Sequence, residues 1–309
     1  MTRVSVVVPV YGDGAALDEL VGRIAATLDA QGLAPWDVIL VDDGSPGPCW
    51  QRIVELTKQR GNVRGIEMQR NFGQHNALLA GILASRGETV VTIDDDLQHP
   101  PEEIPRLLKA LQPGVDLVYG LPAAVRHGPW RNLTSAVGKL VLASVMGARI
   151  APLISAFRAF RGSLRGVLAG YRSPYVNLDV ILNWGTSGVL GVSVRHDSRK
   201  SGRSQYTVRR LVLHWVNMVT GFSVWPLRVA SLTGFVFLCF GFAVLVVVIV
   251  RYLGGGSVPG FPFLACIVTL FAGAQLFALG IIGEYMARLY FRSLDRLPFL
   301  IKSKINVEE

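Results

Sequence analysis

Three consecutive aspartates, Asp94, Asp95 and Asp96, are the residues of this chain with the clearest chemical potential. They follow residues 90–93, an apolar run typical of a buried strand. Residues two apart in an extended segment point to the same side, so Asp94 and Asp96 could bind one cation. Hard divalent cations such as Mg²⁺ or Mn²⁺ prefer oxygen ligands and neutralise phosphate groups during group transfer. The alternative is an Asp-rich turn before the helix that begins at Pro101.

Polar residues also follow the three preceding strand-like runs, at residues 4–10, 38–41 and 63–68. Carboxyl ends of parallel strands meet at one edge of a sheet, where α/β folds bind their ligands. We therefore expect a ligand site at this edge. Its candidate residues outside the three aspartates are Pro9, Tyr11, Asp13, Asp42, Asp43, Gly44, Ser45, Asn71, Gln74 and Gln98.

The segments between these runs have helical spacing, as in Leu17, Leu20, Ile24 and Leu28. Alternating strands and helices over residues 1–120 predict an α/β fold with a mostly parallel sheet covered by helices. A further helix is predicted to begin at Pro101, and a further strand at residues 115–119.

Four motifs are similar to those of family 2 glycosyltransferases of the GT-A fold, which is Rossmann-like. They are residues 8–11 (Val-Pro-Val-Tyr), 41–45 (Val-Asp-Asp-Gly-Ser), 71–74 (Asn-Phe-Gly-Gln) and 94–102 (Asp-Asp-Asp-Leu-Gln-His-Pro-Pro-Glu). Later segments around Phe157 and Tyr206, and Gly-Glu-Tyr at 283–285, narrow the resemblance to the polyprenyl-phosphate branch. That branch includes dolichol-phosphate mannose synthase and bacterial undecaprenyl-phosphate sugar transferases. The resemblance implies transfer of a sugar from a nucleotide diphosphate-sugar to a polyprenyl phosphate, with inversion.

The resemblance implies a role for most of the polar strand ends. The ends of the first two strands would bind the nucleotide, for which uridine diphosphate is our expectation. Tyr11 could stack on the base or be a packing ring, and Asp42 or Asp43 could accept hydrogen bonds from base or ribose. Gly44 would let the backbone approach closely. Asp94 and Asp96 would hold the cation, and Asp95 would contact sugar or backbone.

Cationic side chains are needed for the anionic acceptor, because arginine binds phosphate bidentately. Arg126 and Arg131 are candidate catalytic residues in one loop. A second cluster next to the membrane would bind the lipid phosphate, and it contains Arg199, Lys200, Arg203 and Ser204. Each cation could instead be a surface charge that touches lipid head groups.

The chain departs from the family at Ser155 and Ala156, where many relatives carry an acid that is proposed as a base. A phosphate monoester has a second pKa of about 6 and is already largely ionised at neutral pH, so no strong base is required. Asp179 is the nearest downstream carboxylate that could assist, or it is structural.

Two long uncharged runs predict membrane helices at about residues 229–251 and 261–283, because a bilayer core requires roughly 20 apolar residues per helix. Buried core helices are the alternative. The predicted organisation is a catalytic domain at 1–205, an interfacial helix at 206–227 and a membrane domain with a basic tail at 228–309. A third span within 206–227 is the alternative to the interfacial helix. Basic residues flank both spans, so the positive-inside rule places the catalytic domain in the cytoplasm, at the inner membrane.

The net charge of +9 favours an anionic partner. The resemblance implies membrane lipids and the phosphorylated acceptor, and no nucleic acid. Four glycines in the spans, Gly234, Gly241, Gly273 and Gly280, could pack helices of a homo-oligomer. Two other functions stay open: a processive polysaccharide synthase, and a membrane scaffold that binds nucleotide-sugar without turnover.

Overall fold

The computed structural model describes residues 3–122, 146–147, 149–171, 173, 176–197, 223, 225–254, 260–293 and 297–307. The chain divides into two compact units, one formed by residues 1–207 with 295–309 and the other by residues 208–294. Each unit is described by itself.

The first unit contains a mixed sheet of eight strands among the described residues. The strands are β1 (Val4–Val10), β2 (Trp36–Asp42), β3 (Val63–Met68), β4 (Thr89–Thr92), β5 (Leu117–Pro122), β6 (Arg158–Arg161), β7 (Val189–Val194) and β8 (Ile301–Ile305). Their order across the sheet is β7-β5-β6-β4-β1-β2-β3-β8. The β1–β2, β1–β4, β2–β3 and β5–β7 pairs are parallel, whereas β6 and β8 run antiparallel to their neighbours. The expectation of a mostly parallel α/β sheet is therefore confirmed.

The central strands have buried side chains along their whole length because helices cover both faces of the sheet. Every residue of β1 and of β2 is buried. The helices of this unit are α1 (Leu17–Ala30), α2 (Cys49–Gln59), α3 (Gln74–Ala84), α4 (Ile104–Ala110), α5 (Arg165–Ala169) and α6 (Leu178–Gly185). Two apolar clusters of buried residues result, one built around Val6 and Leu20 and the other around Val7 and Leu79.

Residues 301–305 form the last strand of this sheet, and 295–309 group with the first unit, whereas the sequence prediction placed them in the basic tail of the membrane domain. Ile305 pairs with Gly65 at the start of the β3–β8 ladder. The Lys302 ammonium lies 2.6 Å from the Glu67 carboxylate, and the Asn306 amide donates to the Val63 carbonyl at 3.1 Å. The alternation Ile-Lys-Ser-Lys-Ile suits an edge strand, with half-buried and exposed residues in turn.

The second unit contains two long helices, α7 (Trp225–Leu253) and α8 (Phe261–Ser293). Within them Trp225–Arg251 and Leu270–Ala287 are long and apolar enough to cross a membrane, and neither is buried. Both helices extend beyond the predicted spans. Residues 225–227 belong to α7 and not to a separate interfacial helix, and nearly all of 206–224 lies outside the described residues.

One of the four glycines considered for an oligomer packs within the chain. A Cβ at Gly241 would lie 3.3 Å from the Phe271 ring of α8. The absence of a side chain at Gly241 therefore allows α7 and α8 to pack closely at this point. Gly234, Gly273 and Gly280 have nothing within 4 Å of the corresponding position.

Candidate active site

The acidic turn follows β4 directly and is ordered by hydrogen bonds to two of its aspartates. The Gln74 side-chain amide, at the start of α3, donates to Asp94 Oδ1 at 2.7 Å. The backbone amide of Gln98 donates to Asp96 Oδ1 at 3.1 Å. Leu97 is buried and has a φ of +59°, a left-handed conformation that is costly for a leucine. The chain therefore turns sharply after Asp96, and the buried leucine anchors the turn.

Asp95 has a raised pKa. Burial is the largest cause and the negative charges of Asp94 and Asp96 act in the same direction, so that the pKa of this carboxyl is about 7. The backbone amide of Tyr11 opposes this shift by donating a hydrogen bond. Three adjacent carboxylates concentrate negative charge at this turn, which a divalent cation would neutralise.

A cavity of about 490 Å³ lies beside this turn. Asp95 and Asp96 form one wall, Tyr11 and Asp13 lie on another, and Pro48 at the start of α2 belongs to the lining. The cavity is at the carboxyl ends of β1 and β4, where the strand order predicts a ligand. The structure thus brings together the polar residues that follow β1 and those that follow β4, which are the first and last of the predicted polar strand ends.

The loop after β1 carries Tyr11, whose accessible ring lines this cavity. Tyr11 is 56% exposed, so it is not the half-buried packing ring that was the alternative. The Gly12 amide donates to the Ser45 hydroxyl at 3.1 Å, which joins this loop to the one after β2. Asp13 accepts from the Ala15 amide at 3.2 Å and is exposed. Pro9, in contrast, is buried within β1, so its contribution to a nucleotide site is indirect.

The aspartates after β2 hold loops together. Asp43 is 3% exposed, and its two oxygens accept from the Phe72 amide at 2.7 Å and the Gly73 amide at 2.9 Å. Asp42 accepts from the Ser45 amide at 3.0 Å and is also buried. Both oxygens of Asp43 therefore hold the loop after β3, and the expectation that Asp42 or Asp43 binds base or ribose remains a prediction.

Gly44 lies against the loop after β3. Its φ is +66°, and a Cβ there would lie 2.4 Å from the Arg70 carbonyl carbon and 2.6 Å from the Asn71 nitrogen. Glycine is therefore required here by the close approach of that loop, and the approach of a nucleotide remains a prediction. Asn71 itself is exposed beside this junction.

Asp179 is buried in an ion pair. It is 5% exposed at the start of α6 and forms an ion pair with Arg158, which is 2% exposed. The Tyr119 hydroxyl donates to the same carboxylate at 3.0 Å, and Arg158 also donates to the Thr92 hydroxyl at 3.1 Å. A buried guanidinium requires a compensating charge, and Asp179 supplies it, which supports the structural alternative for this carboxylate.

The acidic turn fits a divalent cation by the chemistry of its donors, which are hard carboxylate oxygens. Within the described residues no three acidic, histidine or cysteine side chains converge tightly enough to enclose a metal ion. Magnesium-type sites commonly use one or two carboxylates together with substrate phosphates. Two carboxylates and an incoming diphosphate would match that arrangement.

The predicted acceptor residues lie outside the described part of the chain. These are Arg126, Arg131, Arg199, Lys200, Arg203 and Ser204. Their roles remain predictions.

Two residues that the sequence analysis did not single out lie next to the acidic turn. His99 belongs to the turn itself, and His196 follows β7; their ring centroids are 4.9 Å apart. In the sequence, only the position of His99 within the acidic motif indicated that it lies near the site. Nothing in the sequence indicated this for His196, because its distance from the turn depends on the pairing of β7 with β5.

Comparison with known proteins agrees with the fold. The model of "Glycosyl transferase family 2" matches residues 5–160. The undecaprenyl-phosphate 4-deoxy-4-formamido-L-arabinose transferase of Pseudomonas aeruginosa (strain LESB58) is 33% identical over 303 residues, covering 97% of this chain and 89% of the relative. The enzyme of the same name from Edwardsiella ictaluri is 31% identical over 311 residues, covering 99% and 95%.

A solved structure resembles this fold. Glucosyl-3-phosphoglycerate synthase from Mycobacterium tuberculosis, crystallised with Mn²⁺, uridine diphosphate and glucosyl-3-phosphoglycerate, has a TM-score of 0.52 and 18% identity. The match covers 71% of this chain and 78% of that one. At this identity the likeness concerns the fold alone, whereas the family match over more than half of the chain is decisive: this protein belongs to glycosyl transferase family 2.

Proposed function

We propose that this glycosyltransferase moves a sugar from a uridine diphosphate-sugar to undecaprenyl phosphate at the cytoplasmic face of the inner membrane. The product is a lipid-linked monosaccharide with inverted anomeric configuration. The observation that carries the proposal is similarity along 97% of the chain to undecaprenyl-phosphate sugar transferases. The cavity between Tyr11 and the acidic turn supports it, because it offers an accessible aromatic ring and two carboxylates to a nucleotide diphosphate.

The donor would bind with its base near Tyr11 and its diphosphate near Asp95 and Asp96. A bound Mg²⁺ or Mn²⁺ would neutralise the leaving diphosphate. Asp94 and Asp96 would hold that ion, and Gln74 and the Gln98 amide orient their carboxylates. Burial of the donor phosphates against the turn would exclude water and strengthen these interactions.

The acceptor needs little activation by the protein. A phosphate monoester is largely dianionic at neutral pH, because its second pKa is about 6. The phosphate oxygen therefore attacks the anomeric carbon without transfer of a proton, and the bond to the diphosphate breaks. This explains how the chain could work with Ser155 in place of an acid and with Asp179 engaged by Arg158.

The return of the chain to the sheet after α7 and α8 supports a helical hairpin in the membrane. The chain leaves the sheet after β7, passes through α7 and α8, and returns to the same sheet as β8. Two segments of one sheet lie on one side of a membrane, so the number of crossings between them must be even. Two crossings satisfy this condition, whereas a third span within 206–227 would not. The basic residues before α7 and near the end of α8 favour the cytoplasmic side for the sheet.

The direct test is a screen of nucleotide-sugars with purified protein and undecaprenyl phosphate, in which lipid-linked product is identified by mass. We expect product with a uridine diphosphate-sugar and loss of product when the divalent cation is chelated. Binding of nucleotide-sugars with no product for any donor would favour a scaffold. Products with many sugar units would favour a processive synthase.

A further inference from the structure

An arginine of α1 binds the far end of the acidic segment, residues 94–102, through two parallel hydrogen bonds. Arg23 Nε donates to one oxygen of Glu102 at 2.8 Å, and Arg23 Nη2 donates to the other at 2.7 Å. A bidentate pair of this kind fixes the relative orientation of the two groups as well as their distance. The two residues are 79 apart in sequence, so the pair ties the acidic segment to a distant helix.

The guanidinium of Arg23 is itself held in place on α1. Its remaining nitrogen, Nη1, lies 3.2 Å from the Glu19 carboxylate, one helical turn earlier. A second cation near Glu102 is Arg195, which follows β7, but its guanidinium lies 3.7 Å away and its side chain is 58% exposed. The Arg23 side chain is only 25% exposed, so water and salt screen it less. Arg23 is therefore the better-placed partner of Glu102.

Apolar side chains from the same two parts of the chain are buried together. Leu20 and Ile24 of α1 belong to one apolar cluster with Leu97 of the acidic turn and Ile104 of α4. Apolar burial is non-directional, so it favours contact between the segments without fixing their exact register. The directional pair between Arg23 and Glu102 supplies that restraint.

The two parts of the chain that this pair connects also form two walls of the cavity beside the acidic turn. Residues 11–17, which end at the first residue of α1, line one wall, and Asp95 and Asp96 line another. We propose that Arg23 is a positioning residue, which by binding Glu102 fixes the separation of these walls and so sets the affinity of the cavity for a nucleotide diphosphate. This inference rests on the proposed function, and it assigns Arg23 a role in donor binding and none in acceptor use.

The test measures binding of uridine diphosphate to the full-length protein in the presence of Mn²⁺. For Arg23→Gln we expect the Kd to rise about fivefold and the KM for the donor to rise with it, while the KM for undecaprenyl phosphate stays near the unmodified value. Glu102→Gln should have the same effect. The double variant should bind no more weakly than either single variant, because both changes remove one interaction. Arg106→Gln removes an exposed cation on α4 and is the matched control, which should bind normally.

Hydrogen exchange over residues 94–103 provides a readout without nucleotide or activity. We expect faster exchange there in Arg23→Gln and Glu102→Gln, and unmodified rates in β2 and in the control variant. Unchanged exchange at 94–103, or equal acceleration throughout the chain, would overturn the inference.

The kinetic and binding measurements can also contradict it. Unchanged nucleotide affinity in a variant with faster exchange would show that the pair does not set the affinity of the cavity. Equal increases in the KM for donor and for lipid, or additive losses in the double variant, would overturn the inference as well. If the unmodified protein binds no uridine diphosphate, the proposed function fails, and hydrogen exchange still decides whether Arg23 holds the acidic segment.

Discussion

Arg158 on β6 and Asp179 on α6 form a buried ion pair directly beside the end of β4. Arg158 also donates to Thr92, the last residue of β4, so the pair connects three elements at the base of the acidic turn. Its burial and pairing support a structural role for Asp179, one of the two roles that the sequence left open. The guanidinium requires a compensating charge when it is removed from water.

Removing the Asp179 charge should therefore affect stability more than chemistry. For Asp179→Asn we expect the free energy of unfolding to fall by up to about 3–5 kcal/mol, because Arg158 is left uncompensated. Turnover of the folded fraction at pH 8 should stay above about a tenth of the original value, because the acceptor phosphate needs no base. The double variant Arg158→Met with Asp179→Leu should recover stability. A thousandfold loss of turnover in folded Asp179→Asn would identify it as a base.

The acidic turn should be essential for turnover. Asp94→Asn or Asp96→Asn should reduce kcat by at least about a hundredfold, as expected for loss of charge stabilisation at a leaving group. Chelation should have the same effect on the unmodified enzyme. Glu55→Gln, an exposed carboxylate on α2, is the control and should behave normally. Near-normal transfer in the presence of chelator would contradict cation-dependent catalysis.

Asp95 should make the cation-free protein less stable as the pH rises. Its pKa is raised from 3.8 to about 7 in the folded state, so the folded protein binds the proton more tightly. The stabilisation is fully present below the unfolded pKa and is lost as pH increases through about 7. In the presence of chelator, Asp95→Asn should have a higher Tm than the unmodified protein at pH 8. Its Tm should also fall less between pH 5 and pH 8. If Tm depended on pH identically in both proteins, the raised pKa of Asp95 would not be the cause of the pH dependence.

The hairpin topology can be tested by labelling single cysteines in a variant without Cys49, Cys239 and Cys266. Gly254→Cys, at the end of α7, should react with a membrane-impermeant maleimide in intact spheroplasts. Lys304→Cys, on the exposed side of β8, should react only after lysis, because β8 belongs to the sheet that the proposed orientation places in the cytoplasm. Labelling of both positions in intact spheroplasts would contradict the proposed orientation.

Arg203 remains the strongest sequence-based candidate for the lipid phosphate. Arg203→Ala should raise the KM for undecaprenyl phosphate or lower turnover, at a cost of roughly 1.5–3 kcal/mol for a charge-assisted hydrogen bond. Donor affinity should change little. A small effect that high salt removes would indicate a surface charge instead. Steady-state kinetics at two ionic strengths, with each substrate varied in turn, distinguish the two roles.

The amino-acid sequence by itself determined the features that depend on local pattern. The run 4–10 predicts a strand buried on both faces, and β1 has these bounds with every residue buried. Uncharged stretches of membrane length predict two apolar helices, and α7 and α8 contain them. The acidic turn could be placed at a strand end because the local pattern of apolar residues indicates which segments are buried strands.

Tertiary structure decided the features that depend on contacts between distant residues. Residues 301–305 were interpreted as part of a basic tail, because nothing local reveals that Glu67 and Val63 provide partners for Lys302 and Asn306. Asp43 and Gly44 matched a ligand-binding motif, but only the structure shows that both contact the loop after β3. Asp179 could not be assigned until Arg158 was seen beside it. A side chain's type limits the chemistry it can perform, but its neighbours determine whether it is free to perform it, and those neighbours come from strand pairing across the whole chain.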